Sequence, residues 1–140
     1  MIQRIQTLWL LIASALAFVS LKIPFFSGNI MVNNLKMFQH FTGMSAMLLM
    51  ILTVVVALGS LISIFLFKDR KLQMRVVSFT MVLSILNLVL YYLQTRNFIP
   101  SDWSFDLTAL IAIAIPFFLF LATRGIYRDN KLMKSLDRLR

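Results

Sequence analysis

GMSAMLLMILTVVVALGSLISIFLF, residues 43–67, runs for 25 residues without a charged side chain. A helix rises ~1.5 Å per residue and the hydrocarbon core of a bilayer is ~30 Å thick, so ~20 such residues can cross it. In oil each backbone N–H and C=O must be satisfied inside its own segment. That requirement predicts a helix here despite Val54, Val55 and Val56, because β-branching weighs only weakly against helix.

Working outward, three more apolar runs lie near residues 5–21, 76–93 and 107–122. Lys22 and Pro24 close the first. The expected fold class is an all-α membrane protein: one domain over residues 1–140, built as a bundle of four transmembrane helices, with a tail over 123–140. Composition agrees. Hydrophobic residues make up 60% of the chain and charged residues 14%, against about 45–50% and about 25% in soluble domains. A cleaved leader is the rival reading of the first run, since Arg4 precedes it and Ala15-Leu16-Ala17 resembles a cleavage triplet.

The charges fall in the gaps. Fourteen Lys and Arg face five Asp, for a net charge of +9. In a soluble protein this would suggest nucleic acid; beside apolar spans it suggests loops facing anionic lipid, and no nucleic-acid partner is expected. If the chain crosses four times, eleven cations (Arg4, Lys68, Arg70, Lys71, Arg75, Arg124, Arg128, Lys131, Lys134, Arg138, Arg140) share one side. Only Lys22, Lys36 and Arg96 take the other. The positive-inside rule then places both termini in the cytoplasm. Trp9, Tyr91, Tyr92, Trp103 and Tyr127 fall where interfacial anchors are expected.

Small residues let helices approach closely in lipid. Ala13 with Ala17, and Gly59 with Ser60 and Ser63, are expected packing seams. Asn87, on one face with Ser84, is the most polar group inside a span and is expected to reach a neighbouring helix. Pro116 removes a backbone bond within the fourth run and predicts a bend. Pro24 and Pro100 read as loop punctuation.

Reactive chemistry is sparse. No ionisable residue falls in the middle of a run, which counts against an ion-coupled pump or transporter. There is no cysteine, hence no thiolate site. No P-loop, HExxH or GxSxG pattern occurs. Asp102 and Asp106 pair in sequence, but Ser101 or Asp102 capping the fourth helix, with Asp106 in its first turn, is the simpler role. His40, Met44, Met47 and Met50, extended back by Met37, recur at helical spacing. Imidazole and thioethers suit Cu(I); plain packing of flexible Met side chains is the competing account. The sequence assigns no catalytic residue, cofactor or metal ligand. The tail carries Leu132, Leu136 and Leu139 on one face with Met133 beside them, and cations on the other. It is expected to lie along an anionic leaflet or to dock on a partner.

The start Met1-Ile2-Gln3-Arg4-Ile5-Gln6-Thr7 is distinctive. So is the ending, Arg124-Gly125-Ile126, Asp129, Lys131-Leu132 and Ser135-Leu136-Asp137-Arg138-Leu139-Arg140. With four apolar runs between them, the chain resembles an uncharacterised bacterial family, a domain of unknown function, of small four-helix inner-membrane proteins. The resemblance covers the whole chain and implies a fold and a bacterial inner-membrane setting, but no activity. The expected function is a non-catalytic accessory, stabilising or assembly subunit of a larger membrane complex, with other membrane subunits as partners. A small transporter or channel for a lipid, an apolar solute or Cu(I) is the alternative. A lipid- or quinone-processing enzyme using Asp102, Asp106 and His40 is a second.

Overall fold

The structure is a computed structural model that describes residues 2–32, 35–97 and 103–137. Within these, the side chains of residues 2–4, 31, 32, 97, 103, 105, 134, 136 and 137 are outside the description. Four helices dominate: α1 (Ile2–Ser20), α2 (Met47–Phe65), α3 (Arg70–Gln94) and α4 (Ala109–Asp137). Each packs on its chain neighbour where a short link joins them, and α1 packs most closely on α4, closing a ring.

The ring is built inside out relative to a soluble protein. Its outer surface is apolar, with Phe65 72% and Phe79 65% exposed beside Leu110, Phe117 and Phe120. Its interior holds Ala13, Ala17 and Ala57 with Thr53, Ser60, Ser63, Thr80 and Ser84, all buried. Water cannot reach these hydroxyls, so each turns back on its own helix. Thr53 donates to the Leu49 carbonyl, Ser60 to Val56, Ser63 to Gly59 and Thr80 to Val76. Small interior groups let the backbones close up, as lipid-embedded helices require. Leu10, Val56, Val77, Ile115, Leu119 and Ile126 fill the remaining core.

Three helical stretches, Met47–Lys68, Arg70–Gln94 and Ala109–Met133, are long and apolar enough to cross a membrane. The apolar part of α1, Ile5–Ser20, is shorter. α4 passes unbroken through Pro116 and continues to Asp137 over 29 residues, about 44 Å at ~1.5 Å per residue. The basic tail is therefore the end of the fourth helix, not a separate helix lying beside it.

The all-α expectation is corrected. The stretch between α1 and α2 forms two strands, β1 (Pro24–Val32) and β2 (Leu35–Thr42), joined by β3 (Trp103–Phe105) in an antiparallel sheet of order β2-β1-β3. Val32 pairs with Leu35 and Pro24 with Thr42, while Phe26 pairs with Phe105. The cause is readable in the segment itself. It lies beyond the apolar runs, it carries four Phe with Ile30 and Val32, and two asparagines separate the pairing residues, a hairpin signal. Phe25, Phe26 and Phe41 pack beneath the sheet against Tyr91, Leu49 and Ala109 at the end of the ring. Tyr91, expected at a lipid interface, is 1% exposed and stacks on Phe25 at 4.7 Å. Tyr92 and Tyr127 are exposed. Trp9 stacks on Phe118 at 5.5 Å.

Candidate functional site

Polar side chains converge at three levels: at the sheet, at mid-helix and at the basic end.

At the sheet, β1 carries Ser27, β2 carries His40 and the turn entering α4 carries Asp106. Ser27 Oγ donates to Asp106 Oδ2 at 2.5 Å and lies 2.9 Å from His40 Nδ1. A hydroxyl has one proton. Because that proton goes to the carboxylate, Nδ1 must be protonated and donate to Oγ. The order is His to Ser to Asp. A hydrolytic triad needs the imidazole in the middle, taking the serine proton as a base. Here the serine is in the middle and its proton points away from the imidazole, so Oγ is not activated as a nucleophile. The cluster ties three segments together instead. Thr108 Oγ1 donating to the Pro24 carbonyl, and Asp106 N–H to the Phe25 carbonyl, complete the attachment of the sheet to α4. Ser27 could have been flagged only by its place opposite His40 in the hairpin register.

The Met stripe is also corrected. Residues 37–50 are not one helix: β2 runs to Thr42 and α2 begins at Met47. Side chains alternate along a strand, so Met37 and His40 point to opposite faces of β2. Met44 and Met47 are exposed, Met47 at 75%. His40, Met44, Met47 and Met50 therefore form no ladder. Asp106 precedes α4, accepting the Ala109 N–H on its backbone carbonyl, instead of lying in the first turn. Pro100, Ser101, Asp102, Arg138, Leu139 and Arg140 lie outside the described residues, as do the side chains of Arg4, Trp103, Lys134 and Leu136.

At mid-helix, Asn87 of α3 reaches α2: its Nδ2 donates to Thr53 Oγ1 at 2.9 Å. The void beside this pair, bounded by Ser20, Ser84, Tyr91 and Ile115, is about 10 Å³. That is at the lower limit for one water.

At the basic end, all four helices contribute. Gln6 of α1 and Gln73 of α3 are each 6% exposed, and Asp129 of α4 is 8% exposed. Gln73 Nε2 donates to the Ser63 carbonyl of α2 at 2.9 Å. Arg70 NH1 stands 3.9 Å from Asp129 Oδ2. Gln6 Nε2 has no protein partner among the described residues. Between these groups lies a void of about 20 Å³, room for about one water. Gly125 makes the approach possible, since a Cβ there would lie 2.8 Å from Gln6 Cγ. The two distinctive ends of the sequence thus meet: Gln6 comes from the opening motif, and Gly125 and Asp129 from the closing one. Gln73 and Arg70 join them from mid-chain; Gln73 heads the buried face of α3 that continues through Val77, Thr80, Ser84 and Asn87. Outside this knot, Lys68, Asp69, Arg70, Lys71, Leu72, Arg75, Asn130 and Met133 line an open groove of about 530 Å³.

The chain belongs to the family described as a domain of unknown function (DUF4293), whose model matches residues 2–139. The resemblance to an uncharacterised family is thereby borne out over nearly the whole chain. No curated protein and no solved structure matches it.

Proposed function

We propose that this protein is a non-catalytic accessory or assembly subunit of a larger bacterial inner-membrane complex, spanning the bilayer four times with both termini in the cytoplasm. The observation that carries the reading is the filled interior. The two voids bounded by interior polar groups measure about 10 and 20 Å³, and side chains of Leu10, Val56, Leu119 and Ile126 pack solid between them. A transporter needs a route through the bundle; among the described residues the interior voids hold about one water each, and the larger apolar clefts, of about 480 and 390 Å³, open on the lateral face. The His40–Ser27–Asp106 order, with the serine in the middle, lends no support to nucleophilic catalysis. What the molecule does present is a largely apolar lateral surface and a basic end where Gln6 of α1 meets Gly125 and Asp129 of α4. Those are the surfaces a membrane partner can read.

Gentle detergent extraction from native membranes, followed by mass measurement, tests this. A stoichiometric particle containing this chain and another membrane subunit is the expected result. A lone monomer of 16.2 kDa plus detergent overturns it.

A further inference from the structure

The open groove at the basic end is chemically unlike the rest of the surface. Lys68 and Asp69 come from the turn between α2 and α3, Arg70, Lys71, Leu72 and Arg75 from the start of α3, and Asn130 and Met133 from α4. Four cations face one carboxylate within it. Arg70 is partly committed to Asp129; Lys68, Lys71 and Arg75 are exposed and meet no carboxylate among the described residues. The groove is also half apolar. Leu72 is 46% and Met133 47% exposed, and neither has any use for a free anion in water.

The level of the groove matters as much as its charge. It sits where α3 passes from its charged first turn into its apolar length. Below it, Leu72, Phe79, Val82 and Leu86 follow at helical spacing on one face of α3, with Arg75 between the first two. All four apolar members are exposed. A cationic cup thus stands at the head of an unbroken apolar track.

We propose that this groove is a discrete binding site for one anionic phospholipid. Its phosphodiester is held by Lys68, Lys71 and Arg75, with Asn130 as a neutral donor, and an acyl chain lies along Phe79, Val82 and Leu86. Ammonium and guanidinium groups match a phosphate, and the apolar track matches a chain of methylenes, which selects a lipid over free phosphate. The inference rests on the reading that the helices span a bilayer.

The test uses the full chain and phosphatidylglycerol, with phosphatidylcholine of identical acyl chains as the neutral comparison. The chain is first reconstituted into phosphatidylcholine vesicles; failure to insert defeats the membrane reading itself, and the proposed site with it. Native mass spectrometry from detergent micelles then counts bound lipid. Phosphatidylglycerol is expected to stay bound where phosphatidylcholine dissociates. Introducing K68Q, K71Q and R75Q together is expected to weaken binding about a hundredfold, from about fivefold per cation near an anionic surface. All three positions are exposed, and an unchanged circular dichroism spectrum establishes that the variant folds. The comparison variant R124Q/R128Q/K131Q removes the same charge from α4 outside the groove and is expected to change binding less than about threefold. Equal weakening by both triples, or no preference for phosphatidylglycerol, overturns the site in favour of diffuse attraction. Displacement of the lipid by inorganic phosphate at matched concentration overturns the lipid assignment in favour of a free-anion site.

Discussion

Gly59→Ala should destabilise the protein, and Thr80→Ala should reverse most of that loss. Gly59 lies on α2 against Thr80 of α3. A Cβ at this position would stand 2.7 Å from Thr80 Oγ1 and 3.3 Å from Thr80 Cγ2. Carbon contacts are comfortable from about 3.5 Å and carbon–oxygen contacts from a few tenths less, so the clash with the hydroxyl is about 0.5 Å. Rotating Thr80 gives no relief, because it exchanges the hydroxyl for the methyl and breaks the 2.8 Å bond to the Val76 carbonyl. Retreat of α3 would loosen the contact of Val77 with Val56 and Ala57. Overpacking of this kind costs about 1–3 kcal/mol. Thr80→Ala alone loses about 0.8 kcal/mol for its buried methyl group. The double variant removes the obstacle, so its loss should approach that of Thr80→Ala, giving a coupling of about 1–2 kcal/mol. The assay is reversible unfolding of the full chain by sodium dodecyl sulfate in mixed micelles, followed by circular dichroism. If the two losses add within about 0.5 kcal/mol, the seam is not the close contact described, and the reasoning fails.

Asn87→Ala should cost about 0.6–1.7 kcal/mol in the same assay, the range for a hydrogen bond between helices in lipid; a neutral result would mean that the Thr53 contact carries no net energy. Ser27→Ala should loosen the sheet from α4 by about 1–3 kcal/mol, because it removes a hydrogen bond to the Asp106 carboxylate. Amide exchange should accelerate in β1 and β2 but not in α2, and uniform acceleration would contradict a local tie. Met44→Leu with Met47→Leu should change stability by less than about 0.5 kcal/mol, both side chains being exposed. Cu(I) retention in competition with a chelator should not fall either, and a fall would revive the metal reading.

The helices were legible because lipid leaves the backbone no alternative. A charge-free run such as residues 43–67 specifies its own conformation once its solvent is known. The sheet was harder to read. Residues 24–42 lie outside that constraint, so their strand cues compete with helical spacing in the same stretch. Met37, His40, Met44, Met47 and Met50 fit a helical period, yet β2, a turn and α2 divide them. Tyr91 illustrates the same limit: a Tyr near the end of an apolar run resembles an interfacial anchor until an aromatic hairpin covers it. The basic end was legible only in part. Gln6, Gly125 and Asp129 belong to motifs that stand out in the sequence, but nothing in their spacing says that they touch.

By itself, the sequence determined the number of helices, their apolar length and the separation of charge from it, because each depends on local composition over one helix. Tertiary structure alone decided that β1 and β2 pair and take β3 as a third strand beside β1, that Ser27 interposes itself between His40 and Asp106, and that the opening and closing motifs interlock. Those outcomes depend on contacts across 13 to more than 100 residues of chain. Chain-distant contacts are set by how the helices close their ring, and local pattern carries no record of that closure.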